Sequence, residues 1–473
     1  MKIKFIGAAR EVTGSKHLIT TKEGKKILLD CGMFQGKGME TDAMNRNLGF
    51  DPAEIDHIIL THAHIDHSGL IPYMYNNGFE GSVICTNATR DLCAIMLSDS
   101  GHIQELDVKW YNKKMVKKGL PTVNPIYNDK DAEACMKLFI GVAYDRRFYF
   151  NDKKSHNGIN VKFTNTGHML GSSVVNLEIK EGDKVIRLAY TGDIGRPHNR
   201  IVQPPMPFPQ CDYLITESTY GDRLHQADKE SEEDLLRIIT ETCVDKGGKL
   251  IIPSFSIGRT QEIVFVLNNL YNDGRLPKID IFVDSPLSVN ATDVFRLHTE
   301  CMNDHVKEVL KYDPDPFGFN TLHYIKNVED SKKLNDHKDP CVIISSSGMM
   351  EAGRIKHHVA NNISDPNNTL LIVGYCSPTS LGARIQQPGL KEISIFGEMH
   401  PINAKIEKIE AFSGHGDYSE MKEFLHCQDT AQLKKTFLVH GEYKTQQFYR
   451  DILGKEGFAN IEIPASGEEF ELS

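Results

Sequence analysis

Residues 57–67 read His57-Ile58-Ile59-Leu60-Thr61-His62-Ala63-His64-Ile65-Asp66-His67. An apolar run of strand length ends at Leu60 and hands over to six residues that carry four potential metal ligands. A strand entering a loop places His62 and His64 on one face by its two-residue period, and Asp66 and His67 around the following turn. A mixed imidazole and carboxylate set this dense suits two adjacent divalent ions. A closed structural site would more typically draw on cysteines. One such histidine alone would be read as an ordinary loop residue; four together are read as a metal centre.

The same grammar recurs on either side. Apolar runs at 25–29, 161–165, 185–190 and 213–216 lead into Asp30, Gly167-His168, Gly192-Asp193 and Glu217, and Val439-His440-Gly441 repeats the pattern near the end. His168, Asp193 and His440 each follow a strand and adjoin a glycine that permits close approach. A polar, more helical stretch at about 91–150 interrupts the strands. It carries the basic segment 109–118, with Lys109, Lys113, Lys114, Lys117, Lys118 and the single tryptophan, Trp110. A solvated helix face and an RNA contact both explain that segment.

From Ser231 the pattern becomes strand, loop, helix. Ser231-Glu232-Glu233-Asp234 resembles a helix-starting capping box. Runs at 250–253, 279–283, 342–344 and 370–373 are followed by SFSIGR, DSP, SSSGMMEAGR and GYCSPTSLGAR. Strands alternating with helices predict a parallel, doubly wound α/β sheet with its ligand crevice at the carboxyl ends of the strands. Near 391 the first style returns. The expected organisation is one domain of residues 1–222 and 391–473, with a second domain, 223–390, inserted into it.

Composition narrows the function classes. With 54 basic and 64 acidic residues among 473, the net charge of −10 argues against a polybasic binder, so any nucleic-acid contact is local. The 10 cysteines form no CxxC pair, which speaks against a zinc ribbon or a thioredoxin-type motif and for reduced, intracellular residues. The start of the chain reads as no signal peptide, and no apolar run approaches the ~20 residues that span a bilayer. Cytoplasmic location and no membrane partner are expected.

HAHIDH, TGH, TGD and LVHGE together resemble the metallo-β-lactamase superfamily. The interrupted architecture, with Glu217 in TESTYGD and His415 in SGHGD, is similar to its β-CASP ribonuclease branch across nearly the whole chain. The resemblance implies an αββα sandwich interrupted by the inserted β-CASP domain. It implies that His62, His64 and His168 hold one zinc, that Asp66, His67 and His440 hold a second, and that Asp193 bridges them. Asp30 would support the ligand loop. Glu217 matches the branch's acidic motif and His415 its histidine motif, with Gly416 where alanine is common. A histidine at position 440 is associated with RNA-acting members.

The expected chemistry is hydrolysis of single-stranded RNA in a cleft between the two domains. Water activated by two metals, supported by Asp193 and with Asp66 in the same machinery, would attack phosphorus in line. His415 would serve the leaving 3′ oxygen, and Glu217 would orient a histidine of the cluster. Ser254, Ser256, Arg259, Ser345, Ser346, Ser347, Arg354 and Arg384, in strand-end loops of the inserted domain, are candidate contacts for phosphate oxygens. A hydrolase of small esters or thioesters and a catalytically silent RNA-binding subunit are the alternatives. Zinc against manganese, endo- against 5′-exonuclease action, and a homo-oligomer stay open.

Overall fold

The computed structural model describes residues 1–36, 39–150, 158–225, 231–374, 376, 380–409 and 414–473. Of the motif residues above, Tyr375, Ser377, Pro378, Thr379 and Ser413 lie outside these. The chain folds as two compact units, one of residues 1–224 with 415–473 and one of residues 225–414.

The first unit begins with β1 (Lys2–Gly7), β2 (Lys16–Thr20), β3 (Lys26–Leu29), β4 (His57–Ile59), β5 (Ser82–Thr86) and β6 (Phe139–Val142). It continues with β7 (Arg147–Phe150), β8 (Ile159–Asn165), β9 (Ser173–Glu181), β10 (Lys184–Tyr190) and β11 (Tyr213–Thr216). The second unit holds β12 (Lys249–Pro253), β13 (Asp280–Asp284), β14 (Leu322–Ile325), β15 (Cys341–Ser345), β16 (Thr369–Ile372), β17 (Glu392–Ile395), β18 (Glu398–Pro401) and β19 (Lys405–Lys408). The chain then returns to the first unit with β20 (Lys435–Leu438), β21 (Ile461–Glu462) and β22 (Glu469–Glu471).

Two seven-stranded sheets, ordered β22-β1-β2-β3-β4-β5-β6 and β21-β20-β11-β10-β9-β8-β7, make the first unit. Their facing sides share one core, in which Phe5, Ile27, Leu29, Ile59 and Ile84 meet Val161, Phe163, Leu188, Tyr190, Ile215 and Phe437. Truncating Phe163 or Phe437 to alanine there would cost ~3–5 kcal/mol. The outer side of the second sheet buries Val174, Leu214 and Leu438 against Met421, Leu425, Tyr449 and Leu453 of the helices Tyr418–Leu425 and Tyr443–Lys455. The ligand-bearing strand β4 lies between β3 and β5, parallel to both. A strand with two neighbours and buried faces reads as an apolar run, which is why HIIL stood out.

The second unit is a six-stranded sheet, β14-β13-β15-β12-β16-β19, parallel throughout. Its architecture is the doubly wound insertion expected from the sequence. The return to the first unit comes later than expected, after Gly414. Residues 405–408, whose alternation resembled the first domain's strands, instead pair in parallel with Thr369–Ile372 as the edge of the inserted sheet. The polar stretch 91–150 also differs in part. It carries the 31-residue helix Asn87–Lys117 but closes with strands β6 and β7. Among the described residues no helix is long and apolar enough to cross a membrane.

Candidate metal centre

Backbone hydrogen bonds place the ligand loop before any side chain acts. Leu60 N–H donates to Ile84 O, and Thr61 O accepts from Ser173 N at 3.0 Å. His64 caps the short helix Ile65–Ser68, whose Ser68 hydroxyl donates back to Ala63 O at 2.8 Å. From outside, Ser15 N donates to Asp66 O and Cys31 N to His67 O. Asp66 and His67 therefore project from a pinned turn, while His62 and His64 come from the extended stretch before it. Gly192, at φ +55°, lets Asp193 approach: a Cβ there would meet the Thr61 side chain at 2.6 Å.

Seven side chains converge in two groups. His62 Nε2 lies 3.1 Å from His64 Nδ1, which lies 3.2 Å from His168 Nε2. Asp193 Oδ2 sits 3.5 Å from both His62 Nε2 and His168 Nε2. In the second group His440 Nε2 lies 3.3 Å from Asp66 Oδ2, and Asp193 Oδ1 lies 3.3 Å from His67 Nε2 and 3.7 Å from His440 Nε2. A tetrahedral ion bound at ~2.0–2.1 Å by nitrogen requires ligand atoms ~3.3–3.4 Å apart. The observed spacings match that edge length. Each oxygen of Asp193 faces a different group.

The polar atoms at the centre also lack what a protein interior normally provides. His67 Nε2 and Asp193 Oδ1 are buried and make no hydrogen bond, a costly condition unless another partner is intended. Burial, followed by neighbouring imidazoles, keeps His62, His64 and His168 neutral, with His64 pushed down to about 3. Neutral rings offer lone pairs. Burial opposes the charge of Asp193, yet His440, His67 and His62 hold its carboxyl well below the usual range. His67 is buried as well, but Asp193 and Asp30 raise its pKa well above the ordinary value, a sign that positive charge is favoured between them. Nitrogen and oxygen donors with these spacings fit the coordination of a divalent metal.

Neighbouring hydroxyls settle which ring nitrogens face inward. Thr61 donates its one hydroxyl hydrogen to Asp30 Oδ2 at 2.8 Å, so its oxygen accepts from His62 Nδ1 at 3.0 Å, leaving the Nε2 lone pair for the site. Thr219 repeats the arrangement: it donates to His440 O at 3.2 Å and accepts from His440 Nδ1 at 3.0 Å. His67 Nδ1 donates to Asp30 Oδ2 at 2.7 Å, and Tyr190 OH donates to the same oxygen at 2.9 Å. Asp30 thus touches the supports and none of the inward-facing atoms. Sequence reasoning anticipated Asp30 but missed Thr61, Thr219 and Tyr190. The available signal was position: Thr61 directly precedes the hexapeptide, and Thr219 follows Glu217 by two residues.

Beside the second face of Asp193 stands a third group of Asp193, Glu217 and His415. Glu217 is fully buried; it accepts from Ile194 N and from Thr219 N, and its Oε1 is 3.4 Å from His415 Nδ1. The His415 Nε2 is left 4.0 Å from Asp193 Oδ2. Burial lowers the His415 pKa, but Glu217, then Asp193 and Asp66, outweigh it and bring it up to about 9.

The candidate contacts of the second unit divide. Ser254 is buried, accepting from the Thr260 hydroxyl and donating to Phe255 O. Ser345 is buried and donates to Asp284 O at 2.7 Å. Arg259 pairs with Glu262 at 2.8 Å, and Arg354 donates to Asp284 Oδ1 at 2.6 Å and to Lys326 O at 2.7 Å. These four are occupied inside the fold. Ser256, Ser346 and Ser347 are half-buried and Arg384 is exposed, its guanidinium meeting Ser394 O at 3.4 Å. Ser346 also donates to the Ser285 hydroxyl.

Residues 12–241 match the metallo-β-lactamase superfamily, 260–385 the Beta-Casp domain, and 399–464 the Zn-dependent metallo-hydrolase RNA specificity domain. A ribonuclease of Thermus thermophilus is 34% identical over 93% of both chains. The chain belongs to the β-CASP family of the metallo-β-lactamase superfamily. Other members similar to it include an RNase J-like protein of Methanocaldococcus jannaschii, 32% identical over 94% of both chains. Cleavage and polyadenylation specificity factor 73 of Drosophila melanogaster is 30% identical over 93% of this chain and 60% of its own. As a member of this family the chain is a metal-dependent hydrolase. The converging His and Asp side chains are where its divalent metal chemistry has the donors it needs.

Proposed function

We propose that this β-CASP protein is a ribonuclease that hydrolyses phosphodiester bonds of single-stranded RNA in the cytoplasm, using two zinc ions. The observation that carries the two-metal reading is Asp193, whose two oxygens face two separate sets of ligands, His62/His64/His168 and Asp66/His67/His440. The nitrogen-rich donor set favours zinc over manganese. The RNA reading rests on the match to the RNA specificity domain and on the ribonuclease and RNA-processing names of the relatives.

Divalent ions held by His62, His64, His168, Asp66, His67, His440 and Asp193 would supply a water of lowered pKa and neutralise charge on the phosphate oxygens. The chain's own residues supply the rest. Thr61, Asp30 and Thr219 hold three imidazoles in one tautomer, so the site needs no reorganisation when substrate arrives. His415 carries a proton at neutral pH and gives it to the departing 3′ oxygen as the water oxygen bonds to phosphorus. Glu217 keeps His415 Nδ1 engaged and aims Nε2 at the reacting centre. The products are a 3′-hydroxyl and a 5′-phosphate. Ser256, Ser346, Ser347 and Arg384 of the inserted domain are proposed to contact the strand's phosphates.

The test is a timed digestion of 3′-labelled single-stranded RNA, resolved by nucleotide, with Asp193→Ala in parallel. Internal cuts or stepwise shortening should appear with wild type and fall by at least about 10³-fold in the variant. Zinc-loaded wild type that leaves RNA intact would defeat the proposal.

A further inference from the structure

The site described above leaves one feature unused: the second half of the helix Asn87–Lys117. At 100° per residue, Ile103, Leu106, Trp110, Lys113, Lys114 and Lys117 fall within about 60° of a single line along its surface. Ile103, Leu106 and Trp110 are 41%, 53% and 62% exposed, so the stripe presents contiguous apolar surface beside its lysines. The opposite side is covered: Asn112 bonds both ways to Val123 of the returning segment, at 2.8 and 2.9 Å.

Beyond Asp107, charge distinguishes this stripe from the rest of the surface. Residues 108–128 contain five lysines and no acidic residue, in a chain whose net charge is −10. Elsewhere on surface helices Lys307, Lys311, Lys332 and Lys333 each sit against a carboxylate one turn away. None of the five has a carboxylate partner among the described residues. Lys114 instead lies 3.5 Å from the centroid of the Trp110 ring.

We propose that this face is an auxiliary binding site for single-stranded RNA, in which Lys113, Lys114 and Lys117 take phosphates and Trp110 stacks on a base. The inference rests on the ribonuclease reading. Unpaired ammonium groups beside an exposed aromatic are the combination a flexible polyanion with flat bases requires. A second copy of the chain fits less well, because a two-fold contact would set like charges against one another. The face is also remote. At the other end of the helix Thr89 donates to Gly171 O, in the loop that carries His168. Trp110 lies about 32 Å farther along the axis at ~1.5 Å per residue. At ~3.4 Å per nucleotide a stacked strand of about ten nucleotides spans that length, and a strand much shorter cannot occupy both comfortably. The site therefore adds affinity for long RNA specifically.

The experiment compares RNAs of about five and about thirty nucleotides, using the full chain loaded with zinc. Affinities are measured in an Asp193→Ala background and KM values in the active enzyme, for the parent, Lys113→Gln/Lys114→Gln/Lys117→Gln and Trp110→Ala. The parent should favour the long RNA, and both variants should lose that advantage by on the order of tenfold. For the triple variant the slope of log Kd against log salt should fall by about 2. An unchanged length advantage and salt slope would overturn the inference. So would a shift from dimer to monomer, or loss of binding to anionic vesicles, with RNA affinity unaltered. If the parent neither binds nor cleaves either RNA, the ribonuclease reading fails first and this inference falls with it. If it cleaves both and the variants match it, only this inference fails.

Discussion

Two clusters at the ends of buried strands use similar residues to opposite ends. Around Asp193, histidines and carboxylates point at one another across distances of 3.1–3.7 Å, and His67 Nε2 and Asp193 Oδ1 are buried without a hydrogen bond. Around Asp284 at the end of β13, both carboxylate oxygens are taken by protein donors, although His358 Nδ1 is buried without a hydrogen bond. The Asp284 carboxylate takes Arg354 at 2.6 Å, His358 Nε2 at 2.6 Å and the Ser331 hydroxyl at 2.6 Å, and its carbonyl takes Ser345. The first arrangement leaves two inward-facing donor atoms, His67 Nε2 and Asp193 Oδ1, open to an ion. The second needs none, because each carboxylate oxygen already has its donors. Residue type at a strand end thus does not separate a reactive site from a structural one. What separates them is whether the buried carboxylate finds its donors within the protein: both oxygens of Asp284 do, and Asp193 Oδ1 does not.

The largest expected effect tests the reactive side of this contrast. His415→Ala should lower kcat about 10²–10⁴-fold while zinc per chain, read by elemental analysis, stays at the wild-type value. Metal loss in that variant would move His415 into the ligand set. Next comes the closed cluster. Asp284→Asn strips a buried ion pair of one charge and should cost about 3 kcal/mol, lowering the melting temperature of the purified protein by about 8 °C. Burial works against the Asp284 charge, but His358, Ser331 and Arg354 hold its carboxyl below the ordinary 3.8. A depressed folded-state pKa stabilises above the unfolded value and loses that contribution as pH falls through the folded one. The gap between wild type and Asp284→Asn should therefore be full at neutral pH and shrink below about pH 4. A gap independent of pH would show that the charge itself does little. The smallest effect is expected at Arg384. Arg384→Gln should change stability by less than about 0.5 kcal/mol, since its one bond among the described residues is to Ser394 O at 3.4 Å. It should raise KM for RNA a fewfold. A large loss of stability would place Arg384 with Arg354 on the structural side.

Much of the metal-facing group was legible because its members obey local rules. His62 and His64 follow from strand period, and Asp66 and His67 from the turn after it. His168, Asp193 and His440 follow from their place after apolar strands. The supports Thr61, Thr219 and Tyr190 were not legible, because threonine beside a motif is ordinary until its hydroxyl is seen to take a ring nitrogen. Among the serines and arginines of the inserted domain, sequence did not separate those engaged inside the fold from those left at its surface. Arg259 and Arg354 look like anion forks in sequence, and each already pairs with a carboxylate, Glu262 and Asp284. The return to the first unit was set too early because 405–408 alternates as any half-exposed strand does. Its partner, Thr369–Ile372, lies some distance earlier in the chain.

By itself the sequence determined the two architectures, the order of strands and helices around the ligand motifs, and the chemical class of donors offered to a metal. These are consequences of periodicity and of residue type, and both are local. Only the tertiary structure decided that Asp193 turns one oxygen to each set, that Glu217 meets His415, and that Arg354 is spent on Asp284. Each of these joins residues 25 or more positions apart. Such pairings depend on which strands the sheets bring side by side, and no local pattern carries that information.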